Sequence, residues 1–283
     1  GVIAMSASRS EVAGPKGTPA RVLRILARAG VLLPARPDRN ARQLTSLARW
    51  GATVAGGYRA AAARSPRQLA VVDERREGSF RDLPRRAVRL ANGLEQLGAI
   101  PGSRVAVLCR NHAWFVETVV ACAELGADVL LLNTGLSPRA TAEVLRGHDP
   151  AVIVADAEFA EHVAAARLDT PVLVAWPDVT GPGSGRPFGP AAHRMAATAT
   201  VDDVIATSPD AKRRPPKLPG RLIVLTSGTT GAPKGAQRAN PPGLSAAASL
   251  ISRIPLRSCE SVLVATPLFH MWGLAALQMG MAL

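Results

Sequence analysis

The ten-residue stretch TSGTTGAPKG, which begins at Thr226, holds three glycines, four hydroxyl side chains and one lysine. Glycines let the backbone approach an anion closely and point its N–H groups at the anion. The hydroxyls of Thr226, Ser227, Thr229 and Thr230 can donate hydrogen bonds to phosphate oxygens, and Lys234 adds a mobile positive charge. These residue types in this spacing suit a polyphosphate ligand.

The stretch is not a Walker A loop, because its lysine follows Pro233 and precedes Gly235 where that loop needs a lysine followed by Ser or Thr. An ordinary glycine-rich surface loop is the alternative interpretation, and the density of phosphate-binding residue types argues against it. The apolar run RLIVL directly precedes the stretch, which predicts a strand with the loop at its carboxyl end. The sequence GLSAAASLIS then predicts the helix that follows.

The elements that must position this loop alternate between apolar strand runs and helical periods from Gln68 onward. The predicted strands are QLAVVD, RVAVLC, ADVLLLN, AVIVAD and PVLVAW. We predict one helix with Asp82 as its N-cap, one from the cap Asn111 to Gly126, and one opened by Ser137 and Pro138 and ending near Arg146. This alternation predicts an α/β fold with a mostly parallel sheet covered by helices, and such sheets bind ligands outside the carboxyl ends of their strands.

Charge and composition limit the classes of partner. The formal net charge is +13, but only 4% of the residues are aromatic and no zinc-finger or RNP-like signature is present, so we expect no nucleic-acid partner. The three cysteines, Cys109, Cys122 and Cys259, have neither metal nor disulfide spacing, and Cys109 and Cys122 lie in apolar stretches. Cys109 and Cys122 are therefore expected to be small core residues in a reducing compartment.

Residues 1–45 differ from the rest of the chain. Residues 1–20 are expected to be disordered, and seven arginines but only one acid follow between Arg21 and Arg49. Arg21, Arg24 and Arg28 share one face of a predicted amphipathic helix, which would allow peripheral association with an anionic membrane. The alternative is a surface helix packed on its own domain. Because these arginines also interrupt the first apolar stretch, no secretory signal is recognised, and we expect a cytoplasmic protein.

The stretch TSGTTGAPKG resembles the phosphate-loop signature of the adenylate-forming superfamily, which includes acyl-CoA synthetases. The later stretch PLFHMWGL is similar to the motif that follows this loop in those enzymes, and LANGLEQLGAIPGSRVAVLCRN is similar to part of their N-terminal region. The resemblance covers about Leu47 to Leu283, and within the superfamily a fatty acyl-CoA ligase fits best. It implies that residues 46–283 form N-terminal sheet-and-helix subdomains of an AMP-binding domain.

The resemblance implies ATP-dependent activation of a carboxylic acid, with a fatty acid as first candidate, to an acyl adenylate and then to a thioester with coenzyme A. ATP would be accompanied by Mg²⁺, although no residue here is assigned as a metal ligand. His270 would lie beside the carboxylate at the entrance of the acyl pocket, and a buried core histidine is the alternative. The implied phosphate-binding residues are Thr226, Ser227, Gly228, Thr229, Thr230, Gly231, Lys234 and Gly235.

The chain departs from the superfamily pattern in two ways. Asn240 stands where many members have a histidine, and the segments that hold adenine, ribose, the magnesium-associated glutamate and the catalytic lysine cannot be assigned. We therefore expect the front part of a larger enzyme, incomplete at its C-terminus. The alternative is a short, catalytically inactive remnant or binding protein. Residues 262–283 are long enough for a membrane span, but Pro267 and His270 favour a strand, a loop and a buried helix.

Overall fold

A computed structural model describes residues 19–30, 36–177, 198–226, 234–238, 251–252, 254 and 256–283. The helices are α1 (Pro19–Arg28), α2 (Pro37–Trp50), α3 (Val54–Arg64), α4 (Asp82–Gln96), α5 (Ala113–Leu125), α6 (Pro138–His148), α7 (Ala160–Ala166), α8 (Val201–Thr207) and α9 (Met271–Ala282). The strands are β1 (Leu69–Val72), β2 (Glu77–Ser79), β3 (Arg104–Leu108), β4 (Asp128–Leu131), β5 (Val152–Ala155), β6 (Val172–Val174), β7 (Leu222–Thr226) and β8 (Lys234–Arg238).

Six of these strands form one sheet in the order β6-β5-β3-β4-β7-β8. The first five are parallel, and β8 runs antiparallel to β7. Ala106 in the middle of β3 pairs with Leu130 of β4 and Ile153 of β5, and all three side chains are buried. Runs of buried aliphatic residues are what a parallel sheet covered on both faces requires. The α/β class is therefore confirmed, and β8 is an additional strand that the periodicity did not predict.

The two faces of β3 contribute to different hydrophobic cores. Val105 and Val107 belong to the core that also contains residues of α4 and α5, whereas Ala106 and Leu108 belong to the core that contains residues of α6 and α7. This alternation follows from the period of two in a strand, where successive side chains point to opposite faces. The sheet is thus covered by helices on both sides, as predicted.

The helix ends show which cap predictions were correct. Ser137 caps α6 by accepting from the backbone N–H of Ala140, and Gly126 ends α5 in the left-handed region at φ 81°. The prediction that Asn111 caps α5 is wrong, because His112 occupies that position. The prediction for Asp82 is also wrong, since it is the first residue of α4 and its carboxylate accepts a hydrogen bond from the Ser79 hydroxyl.

The predicted strand QLAVVD forms, but outside the main sheet. It contains β1, which pairs antiparallel with β2. In the turn between them, Asp73 accepts hydrogen bonds from the backbone N–H groups of Arg75 and Arg76, both at 2.9 Å. The same carboxylate accepts from the N–H of Ala113 at 2.7 Å. This small hairpin therefore caps the N-terminus of α5, where a negative charge is favourable.

The basic N-terminal segment contains the predicted helix, α1, which belongs to a small compact unit separate from the unit that holds the sheet. Its Arg21, Arg24 and Arg28 are all exposed. Residues 1–18 of the predicted disordered stretch lie outside the described part of the chain. Among the helices that the structure describes, none is long and apolar enough to cross a membrane.

Candidate active site at the carboxyl edge of the sheet

The two ends of the glycine-rich motif are neighbours in a hairpin. Thr226 is the last residue of β7 and pairs with Lys234, the first residue of β8, while Leu225 pairs with Gly235. The motif therefore leaves the sheet at the carboxyl end of β7 and returns on the adjacent strand. Of the other predicted phosphate-binding residues, Ser227, Gly228, Thr229, Thr230 and Gly231 lie outside the described residues, as do Asn240 and residues 243–250 of the helix predicted after the loop.

The base of β7 is fixed to β4 by a buried carboxylate. Asp128 accepts from the backbone N–H of Arg221 at 2.8 Å, and its second oxygen accepts from Nη2 of the same arginine at 2.6 Å. A Cβ on Gly220 would lie 2.7 Å from the carbonyl carbon of Ala127, so only glycine permits this close approach of two backbones. These contacts set the register that carries Thr226 to the edge of the sheet.

The segment before α9 holds the predicted site residue His270. The His270 N–H donates to the carbonyl of Pro267 at 3.0 Å, and the His270 carbonyl accepts from the Leu274 N–H at 3.1 Å. Leu268 and Phe269 are buried in the core, but His270 is exposed, with its ring centroid 4.4 Å from that of Phe269. The interpretation of His270 as a buried core histidine is therefore wrong.

The residues just before this turn do not form the expected strand. In the described chain, residues 261–265 form neither a helix nor a paired strand, and the side chain of Leu263 is 93% exposed. The backbone of this segment is hydrogen-bonded by the side chain of Asn111 and not by a neighbouring strand. Its Nδ2 donates to the carbonyls of Val264 and Thr266, at 3.2 and 3.0 Å. The helix α9 forms as predicted but is only partly buried.

A buried group of polar side chains lies beside Asn111. Asp156, directly after β5, accepts from the backbone N–H of Arg110 at 2.8 Å and contacts Nε2 of His112 at 2.8 Å. Because Nδ1 of His112 accepts the N–H of Phe115 in the helix cap, Nε2 carries the proton and donates it to Asp156. Burial and the adjacent Asp156 carboxylate raise the pKa of the Cys109 thiol well above its ordinary value.

Cys109, His112 and Asp156 bring ligand-type atoms within 4.8 Å of one another, all of them buried. A metal ion would need a free lone pair on each. Both ring nitrogens of His112 are used in hydrogen bonds, and the Cys109 thiol donates to the carbonyl of Val154 at 3.6 Å. The group is thus a hydrogen-bonded support for the loop after β3 rather than a metal centre.

These features lie on one edge of the sheet. The strands β3, β4 and β7 are adjacent and parallel, so their carboxyl ends meet at the same edge. Asn111 follows β3, Thr226 ends β7, and only β4 stands between them, which places the two strands about 10 Å apart. The chain before His270 is tied to this edge through Asn111, and ligands of open α/β sheets bind there.

The comparison with protein families agrees with this arrangement. The family described as AMP-binding enzyme matches residues 58–283, which include the sheet, the glycine-rich motif and the His270 segment. The chain belongs to the AMP-binding enzyme family. The resemblance to the adenylate-forming superfamily is therefore confirmed.

Curated relatives in this family carry the names of several acid–CoA ligases. The chain is 34% identical over 197 residues to a feruloyl-CoA synthase from Amycolatopsis sp, covering 68% of the chain and 34% of that protein. It is 28% identical over 214 residues to a 2-succinylbenzoate–CoA ligase from Bacillus velezensis, covering 75% of the chain and 39% of that protein. The chain thus spans little more than a third of the length of these relatives.

Solved structures of AMP-binding enzymes have the same fold. The N-terminal domain of FACL13 from Mycobacterium tuberculosis superimposes with a TM-score of 0.66 at 24% identity, covering 81% of this chain and 55% of that one. The O-succinylbenzoate coenzyme A synthetase from Bacillus subtilis, in complex with AMP, gives a TM-score of 0.62 at 23% identity, covering 80% and 53%. The expectation of adenylate-forming N-terminal subdomains is confirmed at the level of the fold.

Sequence reasoning missed the strand β8 and the role of Asn111. KGAQR has no large apolar residue and therefore shows no strand period, although a glycine-rich loop after an apolar strand is compatible with a hairpin. Asn111 was recognised as a polar residue at a helix start, but its partners lie 153 to 157 residues further along the chain. No local signal reports such a contact.

Proposed function

We propose that this chain forms the carboxylate- and polyphosphate-binding part of an ATP-dependent acid–CoA ligase. In the first step a carboxylate oxygen attacks the α-phosphorus of ATP, and the bond to pyrophosphate breaks as the acyl adenylate forms. In the second step the sulfur of coenzyme A attacks the acyl carbonyl, AMP leaves, and the thiol proton is released. The names of the curated relatives in the AMP-binding enzyme family support activation of a carboxylic acid and its transfer to coenzyme A.

The proposed roles of the residues follow from their chemistry. Thr226, Lys234 and Gly235, together with Ser227, Gly228, Thr229, Thr230 and Gly231, would bind the β- and γ-phosphates and the departing pyrophosphate. Their contribution is positioning and charge neutralisation without covalent bonds to the substrate. His270 would donate a hydrogen bond at the carboxylate or gate the entrance of the acyl pocket. Its exposure on the turn before α9 leaves the ring accessible for either role.

The observation that carries the proposal is the hairpin in which Thr226 of β7 pairs with Lys234 of β8. It holds both ends of a phosphate-binding signature at the edge of the sheet where α/β proteins bind ligands. Asp156 lies at this edge, and its carboxylate already accepts hydrogen bonds from the backbone N–H of Arg110 and from His112. It is therefore not a suitable ligand for Mg²⁺.

Two classes of carboxylic acid are candidate substrates. A fatty acid is our first candidate, and one relative in the family is named as the long-chain-fatty-acid–CoA ligase FadD13 of Mycobacterium tuberculosis, 31% identical over 186 residues, covering 65% of the chain and 34% of that protein. An aromatic acid is the second candidate, because the feruloyl-CoA synthase has 34% identity. Palmitate and ferulate should therefore be compared as substrates in the same assay.

The proposal is tested by calorimetric titration of the chain with pyrophosphate and with ATP and Mg²⁺. Replacing Lys234 by alanine removes one charge-assisted contact, so we expect binding to weaken by about 1.5–3 kcal/mol. Lys217→Ala is the matched control, because Lys217 is an exposed lysine outside the proposed site. Equal affinities of the parent and Lys234→Ala would overturn the proposed role of the loop. Acid-dependent exchange of pyrophosphate into ATP would distinguish a ligase from an inactive binding protein.

A further inference from the structure

One side chain joins the edge of the parallel sheet to the segment that carries His270. Asn111 donates from Nδ2 to the carbonyls of Val264 and Thr266, and its Oδ1 accepts from the N–H of Leu268 at 2.8 Å. The amide thus uses both of its donors and its acceptor on a single stretch of backbone. Pro267 and His270 follow within this turn, which the His270 N–H closes on the Pro267 carbonyl.

Asn111 is itself held on both sides. The Asp156 carboxylate accepts from the backbone N–H of Arg110 and from Nε2 of His112, the two chain neighbours of Asn111. His112 is further fixed as the N-cap of α5, where its Nδ1 accepts from Phe115. The Asn111 backbone is therefore set by β5 and α5, independently of the segment that its side chain binds.

The segment has little room to adjust on its other side. A Cβ on Gly273 would lie 2.8 Å from the carbonyl oxygen of Thr266 and nearer still to the carbonyl of Pro267. The first turn of α9 is thus packed directly on the backbone that Asn111 holds. Leu268 and Phe269, which follow Pro267 in the chain, are buried. Because His270 is the next residue, its position depends on how this backbone is held.

We propose that Asn111 is the positioning residue that sets His270 at the acid-binding edge of the sheet. It contacts no reacting group and acts through the backbone of Val264, Thr266 and Leu268. The part of the proposal that concerns acid binding rests on the proposed function, whereas the part that concerns the place of His270 does not.

The first experiment follows the ring C–H resonances of His270 by NMR in the full chain, assigned by their loss in His270→Gln. The ring lies 4.4 Å from that of Phe269, so its chemical shift reports this stacking. Asn111→Asp keeps the acceptor for Leu268 but places a carboxylate oxygen against the carbonyls of Val264 and Thr266, and Asn111→Ser is a milder second variant. We expect the His270 resonances to move towards those of an unstructured histidine while His148 and His162 do not change.

Asn92 provides a matched control. Its Nδ2 donates to the carbonyls of Pro209 and Ala211 at 2.8 and 3.2 Å, and its Oδ1 accepts from Arg213 at 2.6 Å. Asn92→Ser therefore removes a similar three-bond attachment elsewhere and should leave the His270 resonances in place. Unchanged His270 resonances in both Asn111 variants, or equal changes with Asn92→Ser, would overturn the proposal.

The second experiment measures acid binding by calorimetry, with palmitate and ferulate as probes. We expect the Asn111 variants to bind the preferred acid about 10- to 100-fold more weakly, because losing the hydrogen bond from a displaced His270 to a charged carboxylate weakens binding by about this factor. Pyrophosphate binding should change less than about twofold, and unequal weakening of this kind is not expected from a general loss of stability. If the parent chain binds neither acid, the proposed function fails, and the NMR result still decides whether Asn111 positions His270. Equal weakening of acid binding and of pyrophosphate binding would count against the positioning role of Asn111.

Discussion

Arg59 and Glu124 form a two-point ion pair between α3 and α5, with Nε–Oε1 and Nη2–Oε2 distances of 2.6 and 2.8 Å. The Glu124 side chain is fully removed from solvent, whereas that of Arg59 is 27% exposed. The guanidinium also lies 4.2 Å above the ring of Trp50 at the end of α2. Burial raises the pKa of Glu124 despite the arginine beside it. The pair therefore joins three helices, and its desolvation makes it sensitive to the loss of either partner.

Removing one partner of this pair should be more harmful than removing both. Arg59→Met leaves a buried carboxylate without its counter-charge, and we expect a loss of about 3 kcal/mol in the free energy of unfolding. The double variant Arg59→Met, Glu124→Leu should lose less, because no unpaired charge stays buried. Chemical denaturation of the two single variants and the double variant measures this coupling. A double variant less stable than both single variants would contradict the explanation.

Gly273 should be the most sensitive glycine of α9. A side chain at this position would collide with the backbone of Thr266 and Pro267, so Gly273→Ala should reduce the free energy of unfolding by about 1–3 kcal/mol. Gly147 in α6 has open space where a Cβ would lie, with no heavy atom within 4 Å, and Gly147→Ala should be neutral or stabilising by up to about 1 kcal/mol. Thermal unfolding of both variants gives the comparison, and equal effects would show that the close approach is not limiting.

The acid stability of the chain should depend on Asp73. Burial acts to raise the pKa of Asp73, but hydrogen bonds from the N–H groups of Ala113, Arg75 and Arg76 outweigh burial and lower it. Its carboxylate therefore stabilises the folded chain above the unfolded pKa of about 3.9, and this contribution is lost as pH falls through the lower folded-state pKa. We expect Asp73→Asn to be about 1 kcal/mol less stable at neutral pH.

The Asp73 prediction is measured as the difference in unfolding free energy between parent and variant across pH. The difference should shrink as pH falls below about 3.9. Asp210→Asn is the control, since the Asp210 carboxylate is half-exposed and lies 3.6 Å from Arg85 in a surface pair. A difference that stays constant down to acid pH would show that the Asp73 charge does not matter.

The exposed arginines of α1 support a further proposal, that this helix associates with anionic membrane surfaces. Each of Arg21, Arg24 and Arg28 should contribute about 1 kcal/mol of attraction, which salt screens within a Debye length. Sedimentation with phosphatidylserine-containing vesicles should therefore fall with salt and fall further when the three are replaced by glutamine. Replacing the exposed Arg85, Arg139 and Arg214 by glutamine is the control, because it removes the same number of positive charges outside α1. Equal binding to neutral vesicles would rule out the proposal.

The sequence predicted the parallel strands because each is an apolar run bounded by polar or turn residues. It also predicted Ser137 and Gly126 as helix ends, since a hydroxyl cap and a left-handed glycine have local causes. The cap at Asn111 was assigned one residue too early. Asn111 and His112 are adjacent, and either side chain could cap a helix. The Asn111 amide instead binds the distant carbonyls of Val264 and Thr266, and His112 caps α5.

The sequence predicted the residue types of the candidate loop, but it did not predict which of these residues are neighbours in the fold. TSGTTGAPKG predicts a phosphate-binding loop, but the pairing of Lys234 with Thr226 depends on β8, whose sequence has no strand period. Likewise, HMWGLAAL suggested a buried histidine because its neighbours are apolar. Leu268 and Phe269 are buried in the core, whereas the turn between them and α9 leaves His270 exposed.

The order of strands in the sheet has a consequence for folding. Strand β3 pairs with β4 and β5, with partners about 24 residues apart (Arg104 and Asp128) and about 47 residues apart (Val105 and Val152), whereas β7 must reach β4 across about 90 residues, with Leu222 beside Val129. Contacts of long sequence separation carry a larger loop-closure cost and slow folding. We therefore expect β7 to dock late, when Arg221 reaches Asp128. The carboxyl end of β7 at Thr226 would then be among the last parts of the sheet to assemble, and a ligand bound there, as proposed for a polyphosphate, would slow unfolding by holding that strand in place.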